Sequence, residues 1–365
     1  VRVAIVHDWG NQVGGAEAVL SALKQMFPAA PVYMSIYWPE KMPAEYRSWE
    51  IHTSFMNSLP LVKRYHQPFL PLYPLAFESF DLRQFDLVIS NKSGFCHGVL
   101  TGPETLHICY CLTPTRYVWD YETYAQREGI GRLAGLLLRP TLYYLRMWDR
   151  LAAERVDHFA AISREVQRRI AKYYRRESAV IYPPVDTSRY TPQAEWDDYF
   201  LVVSRLIPYK RIDLAVRACN ELKLPLKIVG TGRDRPALQR LAGPTVEFLG
   251  RVSDEELGRL LSRCRAFIFP GRDDFGIAPL EAQAAGRPVI AYAAGGALET
   301  VVEGTSGAFF HQPAWESLAE VLQRFDETAY DPQAIRRHAL GFDKTIFMGK
   351  LQGFIAERAR EYTGV

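Results

Sequence analysis

The chain has 365 residues, enough for about two domains with full cores, and its 48% hydrophobic, 13% aromatic and 23% charged composition is that of a globular protein rather than a disordered one. The formal net charge is only +3, so a general nucleic-acid binder is not implied, and no uninterrupted apolar run is long enough to span a bilayer. The five cysteines are odd in number and lack paired Cys/His spacing, which argues against zinc and fits a reduced, cytoplasmic compartment.

In chain order, Val1 to Val6 reads as a buried parallel-type strand, so no signal peptide is expected. A loop from His7 to Val13 follows, and Gly14-Gly15-Ala16-Glu17 opens a helix to about Met26. A strand feeding a glycine turn and a helix N-terminus is a ligand-binding geometry of open α/β sheets, although the spacing is not GxGxxG. Strand-like runs recur at Pro31 to Ile36, Asp86 to Ser90, Leu106 to Tyr110, His158 to Ile162 and Ala179 to Tyr182. Their alternation with helical stretches predicts a doubly wound parallel sheet.

Two insertions interrupt the pattern. Leu59 to Phe80 is apolar and aromatic, with Lys63, Arg64 and His66 near its start. Gly129 to Trp148 has a helical pattern and carries Arg132, Arg139 and Arg146. Both read equally as core-packing helices or as a surface that touches lipid or a lipid-linked acceptor, since basic and aromatic residues among apolar ones suit the interface.

Pro183 to Asp198, rich in Pro, Thr and Asp, reads as an interdomain linker. A second α/β set follows it. Tyr199 to Ser204 is a strand that ends in the basic loop Arg205-Leu206-Ile207-Pro208-Tyr209-Lys210-Arg211. A helix runs from about Ile212 to Leu222, and Leu226 to Val229 is a strand ending at Gly230-Thr231-Gly232. Val246 to Leu249 is a strand ending at Gly250-Arg251-Val252. The fold expected is α/β, two doubly wound domains with a cleft between them: residues 1–185 with a C-terminal helix 343–365 packed back, and residues 186–342.

The stretch Phe267 to Gly296 holds the densest signal. An apolar strand at Ala266 to Pro270 leads through Gly271-Arg272-Asp273-Asp274 into Phe275-Gly276-Ile277-Ala278-Pro279 and an amphipathic run through Ala285. Pro279 suits the first helical position, Gly286 the helix end, and Pro288 to Ala291 a second strand. Free N–H groups at such a helix start favour an anion, and Gly276 permits close approach. Asp273 and Glu281, with seven residues between them, would repel a lone phosphate. They suit a sugar nucleotide, whose diphosphate sits on the amides while carboxylates accept hydrogen bonds from hydroxyls. Arg205 and Lys210 follow a strand end and form a basic pair able to clamp a diphosphate. The alternative for each group is a solvated polar loop; a glycosidase pair of acids would leave the basic clamp without a purpose.

Gly14-Gly15-Ala16-Glu17, Arg205…Lys210, Asp273-x7-Glu281 and Gly295-Gly296…Glu299 together resemble the retaining family-4 glycosyltransferases of GT-B fold, with two Rossmann-like domains. Leu70-Pro71-Leu72, Phe77-Glu78, Cys111-Leu112-Thr113-Pro114, Arg116-Tyr117 and Tyr182-Pro183-Pro184-Val185-Asp186 resemble the bacterial O-antigen or capsule mannosyltransferase branch. The resemblance implies roles. Arg205 and Lys210 bind the donor diphosphate, with Phe275, Gly276 and Ile277 amides on phosphate. Glu281 holds the ribose, and Asp273, with Asp274 beside it, the donor sugar. Gly14, Gly15, Ser204 and Gly230 approach the donor, and backbone at Arg251 and Val252 reads the base. It implies no cofactor and no metal, only a nucleotide-sugar co-substrate such as GDP-mannose, and a glycan or polyprenyl-linked acceptor in cell-surface polysaccharide synthesis, on the inner face of the membrane.

Two departures from the family pattern stand out: Asp273 where Glu is usual, and Leu112 where a sugar-contacting His is frequent. His97 and Arg116 are the nearby candidates for that role. The implied chemistry is front-face transfer with retention. Alternatives are a UDP-sugar-dependent transferase of the same family, a sugar-nucleotide epimerase on this scaffold, and a non-catalytic nucleotide-sugar binder.

Overall fold

The computed structural model describes residues 1–121 and 132–363. The chain divides into two compact units, Val1–Pro184 with Phe347–Val365, and Val185–Ile346. Each is built on one parallel sheet, as the doubly wound pattern of the sequence predicts.

In the first unit the strands are β1 (Val3–His7), β2 (Val32–Met34), β3 (Ile51–Thr53), β4 (Leu87–Lys92), β5 (Leu106–Cys111), β6 (His158–Ala161) and β7 (Ser178–Val180). They lie in the order β3-β2-β1-β4-β5-β6-β7, all parallel, with Val3 beside Leu87 and Ile5 beside Val32. Every residue of β4 and β5 is buried, as expected for central strands covered on both faces. β3 escapes the sequence pattern because it is three residues long and its middle residue, His52, faces out.

The Leu59 to Phe80 insertion is not one helix. Prolines at 68, 71 and 74 remove backbone donors at a spacing of three, so the chain runs as a 3-10 turn over Gln67–Leu72 and becomes α-helical only at Tyr73–Glu78. Tyr73 and Phe77 are fully buried there, in a cluster with Phe95 and Trp148. The second insertion is helical over Arg132–Glu154; its residues 129–131 lie outside the described residues. That helix buries Leu142, Leu145, Trp148, Asp149 and Ala152, and exposes Leu137, Tyr143, Tyr144, Met147 and Leu151. Among the described residues no helix is long and apolar enough to cross a membrane.

The last helix, Lys344–Thr363, belongs to the first unit from Phe347 onward. Phe347 meets Tyr110 edge-on at 5.4 Å, and Tyr362 donates its hydroxyl proton to the Pro103 carbonyl at 2.7 Å.

In the second unit the strands are β8 (Phe200–Val203), β9 (Leu226–Val229), β10 (Val246–Gly250), β11 (Phe267–Phe269), β12 (Val289–Tyr292) and β13 (Gly307–Phe310), ordered β10-β9-β8-β11-β12-β13. The order reverses at β8, where β9 lies on one side and β11 on the other; this is the topological switch point of a doubly wound sheet. Phe267 and Ile268 are fully buried, each contributing about 2 kcal/mol by leaving water. The helix Asp254–Arg263 starts on a Ser253 cap that accepts from the Glu256 amide, a reading available from the S-x-x-E spacing.

Pro183 to Asp198 does carry the boundary between the two units, between Pro184 and Val185, but most of it is not a loose linker. Tyr190 is 3% exposed, and Arg287 donates to the carbonyls of Gln193 and Glu195. The segment is a strap fixed to the second unit, because arginines from the fold satisfy its carbonyls.

Candidate functional site

The groups singled out in the second unit gather at the carboxyl ends of its central strands. β8 ends at Ser204-Arg205. The glycine loop after β9 packs against that backbone: a Cβ on Gly230, whose φ is +127°, would stand 1.9 Å from the Ser204 carbonyl oxygen. The Gly230 amide in turn donates to the Gly250 carbonyl at 2.7 Å, which brings the turn before Arg251 and Val252 to the same edge. Gly230 is therefore required by close backbone approach, whatever it does for a ligand.

The basic loop after β8 folds as a 3-10 turn over Pro208–Lys210. Its Lys210 ammonium forms an ion pair with Asp273 Oδ2. The other Asp273 oxygen, Oδ1, is buried and meets no donor among the described residues, although Asp273 is only 9% exposed. Arg205 is exposed, and its Nη2 lies 3.4 Å from the Tyr209 hydroxyl. Asp274 is 7% exposed beside Asp273.

The helix after β11 spans Ile277–Ala284, with Gly276 as its N-cap at φ +99°. Pro279 is thus at the third helical position, not the first. The effect is the one a first-position proline would have: its absent N–H falls among donors that have no intrahelical partner anyway. The Gly276, Ile277 and Ala278 amides remain at the helix start. The Gly295-Gly296 turn backs the loop, with the Gly296 amide donating to the Asp273 carbonyl at 2.9 Å; a Cβ on Gly296 would stand 2.2 Å from Phe275 Cα. Phe275 is buried against Phe342, so its aromatic ring anchors the loop from below.

Glu281 lies one turn into the helix. Tyr190 Oη donates to its Oε1 at 3.0 Å. Burial holds the Glu281 carboxyl above the ordinary range, with the Tyr190 hydrogen bond and Arg189 acting in the opposite direction. Sequence reasoning missed Tyr190. The available signal was an aromatic residue inside a stretch otherwise rich in Pro, Thr and Asp.

In the first unit, Gly14 is the N-cap of the helix Gly15–Met26, with extended backbone. A Cβ there would make only an ordinary 3.5 Å contact with Glu17, so local packing does not demand glycine at 14. Glu17 is 4% exposed, with its carboxylate 3.4 Å from His7 Nε2.

His97 does not face a ligand surface. It is fully buried, its Nε2 is 3.2 Å from the Asp149 carbonyl, and its ring stacks on Tyr174. Burial, reinforced by Lys92, holds its pKa well below the ordinary value. Its role is to fill a polar core around Asp149, which also accepts from Thr115, Trp119 and Tyr174. Arg116 opens the short helix Arg116–Trp119 and is partly exposed; Leu112 is 9% exposed.

A second cluster of loop amides lies after β4. Ser93, Gly94, Phe95 and Cys96 all point their N–H groups at the Asp8 carboxylate, at 2.6 to 2.8 Å. With Asp8 1% exposed, this anion site is closed by the protein's own side chain.

Comparison with known proteins bears on both units. A family model described as Glycosyltransferase Family 4 matches residues 13–189, and one described as Glycosyl transferases group 1 matches residues 188–339. A GDP-mannose-dependent monoacylated alpha-(1-6)-phosphatidylinositol monomannoside mannosyltransferase of Corynebacterium glutamicum is 33% identical over 218 residues, covering 51% of this chain and 56% of that protein. The O-antigen chain mannosyltransferase RfbU of Salmonella typhimurium is 29% identical over 210 residues, covering 53% and 57%. The chain thus spans about half the length of the curated relatives it matches. Among solved structures, Anabaena HepE in complex with UDP superposes with a TM-score of 0.71 at 16% identity, covering 98% of this chain and all of that one. Sucrose-phosphate synthase from Thermosynechococcus elongatus gives 0.72 at 15% identity, covering 98% and 99%. These structures share the fold. With the two family models running in succession from residue 13 to residue 339, the chain belongs to the family-4 glycosyltransferases.

Proposed function

We propose that the protein is a retaining hexosyltransferase that moves mannose from GDP-mannose to a glycan or polyprenyl-linked acceptor in cell-surface polysaccharide synthesis. The observation that carries this reading is the grouping in the second unit: a Lys210–Asp273 pair, a helix start with the Gly276 and Ile277 amides, and the enclosed Glu281 after it. A nucleoside diphosphate sugar needs all three chemistries: cation and amides for the phosphates, and carboxylates for the hydroxyls. The similarity to two mannosyltransferases supports mannose as the sugar.

In the reaction, the bond between the sugar carbon and the β-phosphate oxygen breaks early. Negative charge builds on the departing diphosphate. Arg205, Lys210 and the helix N-terminus stabilise it as preorganised charges and dipoles. The acceptor oxygen attacks from the face the phosphate leaves, and the leaving phosphate oxygen takes the acceptor proton. No separate base is required, configuration is retained, and the sugar nucleotide is a co-substrate rather than a cofactor.

Asp273 has a double part in this scheme. It holds Lys210 through one oxygen and offers the other to a sugar hydroxyl, a division the shorter Asp side chain achieves from beside the ammonium. The exposed face of the helix Arg132–Glu154, with Leu137, Tyr144, Met147 and Leu151 alongside Arg139, supports work at the inner face of the membrane. Flotation with anionic vesicles tests this; protein that stays at the bottom of the gradient removes it.

The central test is calorimetric binding of GDP, UDP and ADP, with and without EDTA, followed by turnover of GDP-mannose. The expected result is tight, EDTA-insensitive GDP binding that Arg205→Ala and Lys210→Ala each weaken by about 10- to 100-fold. Preference for UDP would replace mannose and GDP by another hexose and UDP. Product formed without acceptor would point to an epimerase, and binding with no turnover to a non-catalytic binder. No nucleotide binding would end the reading.

A further inference from the structure

Glu281 has a fixed side. Among the described residues, Tyr190 is the side chain recorded as donating to its carboxylate, at 3.0 Å to Oε1. Tyr190 is itself held from several directions. It is 3% exposed, and the Arg189 guanidinium lies over its ring at 5.9 Å. Arg189 is fixed in turn by Asp254 at 2.6 Å. Arg336 Nη1 donates both to the Tyr190 carbonyl and to the Ala284 carbonyl, which ties the strap to the end of the same helix that carries Glu281. A phenol held this firmly sets the rotation of the carboxylate it touches.

We propose that Tyr190 is a positioning residue for nucleotide recognition: by occupying one oxygen of Glu281, it presents the other to the ribose hydroxyls and so makes the site select a ribonucleotide over its 2′-deoxy counterpart. This rests on the reading of Glu281 as the ribose contact. A carboxylate free to rotate would spread its acceptor capacity and would lose a charge-assisted hydrogen bond worth about tenfold in affinity.

The same geometry fixes a pH signature. Burial favours the neutral form of Glu281, while the Tyr190 hydrogen bond and Arg189 favour the carboxylate; Asp254 and Asp186 oppose it. The packed helix Pro332–Leu340 presents Arg336, whose guanidinium is directed at carbonyl oxygens instead. Removing the Tyr190 hydroxyl takes away one group that favours the carboxylate. The carboxyl then titrates at higher pH, and nucleotide binding is lost at a higher pH on acidification.

The test is calorimetry of the full chain and its Tyr190→Phe variant with GDP and 2′-deoxy-GDP across pH 5 to 8 (or the UDP pair, if UDP is the preferred base). The expected result is a wild type that binds the ribonucleotide about tenfold tighter than the deoxynucleotide. In Tyr190→Phe the deoxynucleotide affinity is kept, the ratio falls toward one, and the acid limb of binding moves to higher pH. Glu281→Gln is expected to collapse the ratio as well, with no pH shift left to see. A Tyr190→Phe variant that keeps the wild-type ratio and acid limb overturns the proposal alone. Equal weakening of both nucleotides overturns it too, since that is general loss of structure. A wild type that binds GDP without discriminating against the deoxy form, or binds neither, overturns the reading of Glu281 and the proposal with it.

Discussion

The two units bury polar groups in opposite ways. In the first, carboxylates are closed off by the fold: Asp8 by four backbone amides and the Ser93 hydroxyl, Asp149 by Thr115, Trp119 and Tyr174. In the second, the carboxylates at the strand ends are each engaged through one oxygen, Asp273 by Lys210 and Glu281 by Tyr190. A fully satisfied buried network specifies one packing and is costly to disturb. A half-satisfied carboxylate keeps acceptor capacity for a hydroxyl. The contrast ties the polar core of the first unit to stability, and under the proposed function it ties the polar edge of the second to recognition.

The largest test of that contrast is acidification. In the first unit, burial pushes His107 down to about 3 and His66 to about 4, and holds His97 well below its ordinary value. A depressed histidine pKa means that the folded state prefers the neutral ring. Its contribution is complete above about pH 6.5 and is lost as pH falls toward the folded value. Denaturant unfolding monitored in the first unit is expected to lose about 3 kcal/mol between pH 6.5 and 4 from His107 alone. A first unit that is as stable at pH 4 as at pH 7 breaks the comparison.

Next in size is Asp8→Ala. It strands four buried amides and is expected to cost the first unit about 3–5 kcal/mol by urea denaturation. Binding of nucleotide by the second unit serves as the internal control and is expected to persist in the folded fraction.

Lys210→Ala is expected to be read first in binding, lowering nucleotide affinity by about 10- to 100-fold by calorimetry. Smaller again is Glu281→Gln. It is expected to lower ribonucleotide affinity about tenfold while raising the melting temperature of the second unit at pH 7. The sign follows from the raised carboxyl pKa: burial penalises the charged form, so the stability present when it is protonated is lost as pH rises, and a neutral amide avoids that loss. A lower melting temperature for Glu281→Gln would place Glu281 among the structural networks instead.

Much of the second unit was legible because its chemistry is local. The strand-loop-helix from Phe267 to Ala284 and the basic loop after β8 are each continuous in sequence, and their backbone periodicity shows directly. Two misreadings have a common cause. Pro183 to Asp198 has a linker composition, yet Arg287 and Arg336 pin it from 92 to 146 residues away. His97 stands near the Leu112 segment in sequence, yet it is buried on Asp149, fifty-two residues on. Composition and spacing carry no information about such distant partners.

The alternating parallel α/β order, the glycine and proline punctuation of the site loops, and the residue types able to meet a diphosphate can all be read from the residues alone. These depend on backbone sterics and hydrophobic period, which act over a few residues. That Lys210 and Asp273 pair, that Tyr190 donates to Glu281, and that Asp8 closes the amides after β4 emerges only in the folded chain. Each of those contacts joins residues 63 to 91 positions apart, and a long-range contact exists only once the sheet has set which loops share an edge.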